Sequence, residues 1–132
     1  MSIRRVNPPE LAPPVGFSHA TIMDSGRLVL LAGQTALDSD GRVVGTSIVE
    51  QFEKVLMNLL TALTAAGGSP DHLAKLTIFC VDPGDYRQNA REIGTIWHRL
   101  VGREYPAMTL VGVTRLWDEE ALIEIEGIAV VS

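Results

Sequence analysis

Two carboxylates stand where a strand should be apolar. The last stretch of the chain, Ala121-Leu122-Ile123-Glu124-Ile125-Glu126-Gly127-Ile128-Ala129-Val130-Val131, has the composition of a β-strand buried on both faces. Side chains of a strand alternate between its two faces. Ile123, Ile125 and Ala129 therefore share one face, and Leu122, Glu124, Glu126, Ile128 and Val130 share the other. A carboxylate in a dry apolar layer is costly, so the acidic face must meet water, a partner subunit or a ligand. An acid set among aliphatic neighbours can orient or deprotonate a water molecule once burial and nearby groups tune it. Any functional reading has to explain both Glu124 and Glu126.

The other chemistry-bearing residues exclude more than they suggest. Cys80 is the one cysteine; an intrachain disulfide and a site built on several thiolates are therefore ruled out. It reads as a small buried hydrophobe in a strand. The three histidines, His19, His72 and His98, show neither an i, i+4 pair on one helix nor an H-E-x-x-H motif, so no metal site is expected. No Gly-rich phosphate loop is present, and no cofactor is expected. The net charge is −5, and the basic residues are scattered apart from Arg4-Arg5. Phosphate binding depends on clustered Lys and Arg, so nucleic acid is not an expected partner. No apolar run reaches the roughly 18–20 residues of a membrane span, and no secretory signal is visible at the N-terminus. These points lead to the expectation of a cytoplasmic protein without membrane contact.

The elements that must position Glu124 follow from periodicity and turn chemistry. With 132 residues the chain has the length of one domain, and residues 1–132 are read as such. Residues 1–15 contain Pro8-Pro9 and Pro13-Pro14 and read as an extended arm, neither helix nor central strand. Residues 18–23 and 27–35 read as strands, with Asp24-Ser25-Gly26 as a hairpin turn between them. Asp38-Ser39-Asp40-Gly41 is a second turn, and Val43-Val44 a short strand. Ser47-Ile48-Val49-Glu50 fits a capping box. The helix it opens carries Ile48, Phe52, Val55, Leu56, Leu59 and Leu63 on one stripe and stops at Gly67-Gly68. Residues 76–81 read as a central strand, and Asp82-Pro83-Gly84-Asp85 as a turn. A second helix carries Tyr86, Ala90, Ile93, Trp97 and Leu100, with Gly102 as its cap. Pro106 opens a strand that reaches about Thr114. The order predicts an α+β two-layer domain, a mixed sheet with two helices on one face. The uncovered face and an apolar content of 46% point to self-association.

Several short stretches, in their order and spacing, carry a family resemblance. They are Gly16-Phe17-Ser18-His19-Ala20, Ala32-Gly33-Gln34, Glu50-Gln51, Asn58, Ala65-Ala66-Gly67, Asn89, Pro106-Ala107 and Glu124-Ile125-Glu126-Gly127-Ile128-Ala129. From Val15 onward the chain resembles the Rid/YjgF family of reactive-intermediate (imine/enamine) deaminases, also described as L-PSP endoribonucleases or translation-inhibitor-like proteins. The resemblance implies a chorismate-mutase-like fold, a homotrimer, and a ligand cleft between neighbouring subunits. In deaminating members, an arginine directly after Pro-Ala grips the substrate carboxylate, and the first glutamate of Glu-Ile-Glu holds the attacking water.

Glu124 keeps that glutamate, but Met108 stands at the arginine position and cannot offer two parallel N–H donors. Phe17 stands where the family has a tyrosine, and Ala32 where it has a serine. The resemblance implies Glu124 as the catalytic residue, with Phe17, Gly33, Asn89 and Met108 around the ligand. The expected activity is hydrolytic deamination of a reactive imine or enamine at the intersubunit cleft, on a substrate other than the usual small 2-imino acid. The alternatives are a non-catalytic binder or sensor of small carboxylic ligands on the same fold and, less compatible with the charge, an endoribonuclease or translation inhibitor.

Overall fold

The computed structural model describes residues 3–132; Met1 and Ser2 of the N-terminal arm lie outside the described residues. The elements are β1 (Arg4–Val6), β2 (Ala20–Ile22), β3 (Arg27–Gln34), α1 (Ile48–Ala65), β4 (Leu73–Cys80), α2 (Pro83–Gln88), α3 (Ala90–Leu100), β5 (Ala107–Gly112) and β6 (Ile123–Val131), with a 3-10 turn at Pro70–His72. The main sheet runs β3-β6-β4-β5. β6 is antiparallel to both β3 and β4, and β4 pairs parallel with β5. A parallel pair needs a crossover, which α2 and α3 supply. This is the expected α+β arrangement: a mixed sheet with its helices on one face.

The core lies between that face and the helices. Phe52, Val55, Leu56, Leu59 and Leu63 of α1 and Ile93 and Trp97 of α3 meet Leu76, Ile78, Ile123 and Ile125 of the two central strands, all buried. The expected stripe of α1 is the one buried. Its capping box is formed: Ser47 Oγ accepts from the Glu50 amide at 3.1 Å, and Glu50 Oε1 accepts from the Ser47 amide at 3.1 Å. After the helix Gly67 takes a positive φ of 89°, where glycine alone is unstrained.

Four local expectations are corrected. Asp24-Ser25-Gly26 does not close a hairpin, because β2 pairs with β1 while β3 pairs with β6. Pairing with β1 lets Ile3 and Met23 cover Ala74 and Val130 in a second apolar cluster, burial that a β2–β3 hairpin would forgo. The β1 segment of the arm is thus a strand of a two-stranded ribbon. Asp82-Pro83-Gly84-Asp85 opens α2 rather than turning the chain: Asp82 accepts from the Asp85 amide at 3.2 Å, and Pro83 takes the first helical position. The stripe from Tyr86 to Leu100 spans two helices that part at Asn89 (φ −104°, ψ 17°). Val43-Val44 makes no strand, only an isolated bridge from Val43 to Leu37.

The other face of the sheet is covered at Val130 by Ile3 and Met23 and is open at the residues around it. Leu28 and Leu30 of β3 are 66% and 72% exposed, and Ile128 of β6 is 37% exposed. No helix among the described residues is long and apolar enough to cross a membrane.

Candidate functional site

Glu124 lies on the open face, half-buried, as the alternation of β6 requires. Its cross-strand neighbour on β4 is Phe79, and Glu126, exposed, stands opposite Thr77. On the other side, β3 and β6 slip register: Leu31 pairs with Gly127, yet Gln34 pairs with Ile125. Three steps along β3 match two along β6, which places a bulge at Ala32-Gly33. The Glu124 carboxylate lies against that bulge, and a Cβ added to Gly33 would run into it. Gly33 and Glu124 are thus brought together by direct contact. The carboxylate has no hydrogen-bond or ion-pair partner among the described residues, so its lone pairs are open to water or a ligand.

The start of β6 is held by a residue whose motif gave no sign of this role. Gln51 of α1 is 1% exposed. Its amide donates to the carbonyls of Gly45 (3.0 Å) and Glu120 (2.9 Å), and its Oε1 accepts from the Leu122 amide at 2.8 Å. A buried amide with its capacity so used fixes the strand two residues before Glu124. Asn58 does similar work after β3, donating to the carbonyls of Thr35 (3.1 Å) and Leu37 (2.9 Å).

Met108 lies on the opposite face of the sheet. In the parallel register it is beside Leu76, a core residue on the helical side. Within one chain, Met108 and Glu124 therefore cannot touch the same small ligand. Met108 borders a cavity of about 440 Å³ between β5 and the helices, walled by Phe52, Tyr86, Trp97 and Tyr105. Trp97 and Tyr105 stack at 4.9 Å between ring centroids, and Trp97 Nε1 donates to the Glu104 carbonyl at 3.0 Å. Burial above all, with Tyr105 and Cys80 nearby, pushes the Tyr86 phenol up to about 12. Burial likewise raises Tyr105 and the Cys80 thiol.

Phe17 belongs to the Met108 side. Ser18 fastens its segment to β5, with its amide on the Pro106 carbonyl at 2.9 Å and its hydroxyl on the Tyr105 carbonyl at 2.7 Å. The Phe17 ring meets His19 edge-on at 5.0 Å, while Val15 and Gly16 line the cavity. His19 is occupied by local bonds, its Nε2 2.7 Å from the Ala12 carbonyl. Asn89 gives its side-chain amide to the Asp85 carbonyl and carboxylate at 2.9 and 3.1 Å. Those bonds secure the junction of α2 and α3 and leave the side-chain oxygen, Oδ1, as the uncommitted polar atom of the Asn89 amide group.

The geometry agrees with likenesses to known proteins. The family model described as Endoribonuclease L-PSP matches residues 8–131. A RutC family protein of Pyrococcus horikoshii is 33% identical over 122 residues, covering 91% of this chain and 92% of the relative. The RutC family protein UK114 of Drosophila melanogaster is 31% identical over 118 residues, covering 89% of this chain and 80% of the relative. Among solved structures, YyfB of Yersinia pestis, described as of the conserved Rid protein family, superposes with a TM-score of 0.90 at 35% identity, covering 99% of this chain and all of that one. A member of the YjgF/YER057c/UK114 family from Mycobacterium tuberculosis gives a TM-score of 0.64 at 30% identity, covering 89% of this chain and 88% of the other.

Proposed function

Because this chain belongs to the Rid/YjgF family, whose model is described as Endoribonuclease L-PSP, we propose that it is a cofactor-independent hydrolytic deaminase of reactive imines or enamines. The observation that carries the reading is the unpartnered Glu124 carboxylate seated over the Gly33 bulge. In this reading Glu124 accepts a proton from water as the oxygen attacks the imine carbon. Returning that proton to nitrogen gives a neutral carbinolamine; its hydroxyl proton then passes by way of Glu124 to the amine as the C–N bond breaks, and ammonia and a carbonyl product leave. Each turnover consumes one imine and one water, and no electrons change hands.

The cleft is composite in this proposal. Glu124 and Gly33 serve from one face of the sheet, while Met108 borders the cavity on the helical side, with Val15 and Gly16, next to Phe17, and Ala90, next to Asn89, in the same lining. A second copy that lays its β5 edge on the open face would bring the two sets together and cover Leu28, Leu30 and Ile128. We propose a homotrimer on this ground, and light scattering of the purified chain tests it. Met108 in place of a cationic anchor directs the activity away from small 2-imino acids.

The decisive assay generates a panel of imines in situ from amino acids and an amino-acid oxidase, and follows ammonia release. The wild type should accelerate release on at least one of them, and Glu124→Gln should remove the acceleration. Equal rates for the two proteins across the panel would overturn the reading. The loss of a two-pronged donor at Met108 favours a second reading, a binder of small carboxylic ligands without turnover. Ligand-induced stabilisation in the absence of any ammonia release would select it.

A further inference from the structure

We infer that the cavity between β5 and α3 receives the ring or bulky apolar group of a carboxylic acid, and that Arg91 holds the carboxylate. The inference rests on the deaminase reading only in calling that acid a substrate; the binding itself stands on this cavity alone. At about 440 Å³ it falls within the roughly 300–1,000 Å³ typical of small-molecule sites. It offers an aromatic and thioether wall that a two- or three-carbon acid would leave largely unfilled. Met108 completes that wall where the family motif has a charged side chain.

The charge pattern gives the ligand its sign. The chain has 16 acidic residues and a net charge of −5, yet no Asp or Glu lines this cavity. Its ionisable lining consists of Arg91, His98 and the two tyrosines, Tyr86 and Tyr105. A cavity whose permanent charge is positive, in an acidic protein, selects for an anion. Arg91 stands exposed in the first turn of α3 and has no ion-pair or side-chain hydrogen-bond partner among the described residues. Arg5, Arg99 and Arg115, by contrast, each face a glutamate within 4 Å. A guanidinium left uncommitted at a cavity can take a carboxylate with two parallel N–H donors. Tyr86, whose phenol burial keeps protonated, adds a neutral donor to the wall. Its hydroxyl has no hydrogen-bond partner among the described residues.

Calorimetric titration with phenylpyruvate tests the site without any turnover, because this keto acid has no nitrogen to release. The wild type should bind it about tenfold or more tightly than pyruvate, which lacks the ring, and than 2-phenylethanol, which lacks the charge. Arg91→Gln should weaken phenylpyruvate about tenfold and leave 2-phenylethanol unchanged, and Arg91→Lys should recover part of the loss. Since Arg91 is exposed, both variants should keep the wild-type melting temperature. Equal affinity for acid and alcohol, an Arg91→Gln variant that binds phenylpyruvate as the wild type does, or no binding by the wild type would each overturn the inference. Those outcomes leave Glu124-dependent ammonia release from the imine panel untouched. Tight phenylpyruvate binding with no ammonia release from any imine would sink the deaminase reading and keep this one.

Discussion

The two faces of the sheet carry opposite halves of a chemistry. On the open face, a carboxylate without partners lies over a glycine bulge among exposed aliphatic side chains. On the helical face, an aromatic cavity carries a free guanidinium and no acid. The first region presents a carboxylate able to take a proton on an open stretch of sheet. The second can hold an apolar anion but has no carboxylate in its lining. β6 and β4 separate them, so one chain cannot bring both groups to the same small ligand. Under the proposed function, binding and proton transfer belong to different surfaces that assembly joins.

The sharpest way to break this division is to damage the proton side alone. Glu124→Gln keeps size and polarity but cannot accept a proton at neutral pH. General-base catalysis by a positioned side chain is worth about 10²–10⁴-fold, and kcat should fall by at least about 100-fold in the ammonia assay. KM should move little, because the residue acts on water. A variant that loses affinity and keeps kcat would place Glu124 in binding and remove the distinction between the faces.

Gln51→Leu should disturb both regions at once. It strips two donors and an acceptor from the boundary of α1 and β6, leaving the Gly45 and Glu120 carbonyls and the Leu122 amide without their partner. Unsatisfied buried groups cost about 1–3 kcal/mol each, partly offset where water reaches them, so urea unfolding should show a loss of about 3 kcal/mol. A loss below ~1 kcal/mol would mean that the strand start is held by packing alone.

Gly33→Ala is gentler and more local. Gly33 is absent from the positive-φ glycines, so alanine is allowed by the backbone and the substitution tests space. The added methyl must push the Glu124 carboxylate aside. Because the displaced atom is the far end of a flexible chain, stability should change by less than about 1 kcal/mol, while turnover should drop roughly tenfold through misplacement of the base. Crystals of the variant with Glu124 unmoved would contradict the contact on which this rests.

How much of this was legible beforehand differs between the two faces. The alternation of β6 assigned the faces of Ile123, Glu124, Ile125 and Glu126, because one side of that strand is core and the other is not. The capping box and the α1 stripe were equally plain, since both are local. Other features depend on tertiary choices that no short window contains. β2 took β1 as its partner because Ala74 and Val130 needed cover. Asp82-Pro83 serves equally as a turn or a helix start, and only the bond to the Asp85 amide separates them. The side on which Met108 stands was hidden because β5 carries apolar residues at Met108, Leu110 and Val111, so its period marks no inside. Arg91 belongs to no motif and to no apolar stripe, so the sequence does not mark it. Its meaning comes from the cavity beside it, which exists only once α3 is packed on the sheet.

The smallest expected effect separates the faces by acidity. Glu50 is held below its ordinary value of 4.5, chiefly by hydrogen bonding from the Thr46 backbone, then by the Ser47 side chain and backbone. The folded state therefore releases this proton more readily than the unfolded state does. The stabilisation is complete above about pH 4.5 and is lost as pH falls through the lower folded value. Glu50 is exposed and its contribution small, so the global melting curve is a blunt probe. Amide exchange is sharper. The capping box immediately precedes Gln51, whose Oε1 holds the Leu122 amide. On acidification, protection at Leu122, corrected for the intrinsic rate, should weaken before that at Ile93, whose amide donates to the Asn89 carbonyl in α3, where no side chain caps the helix. In Glu50→Gln, which can still accept the same bonds without titrating, the Leu122 step should vanish. If Leu122 and Ile93 lose protection together in the wild type, the two faces open as one unit, and the division between them belongs to chemistry and not to stability.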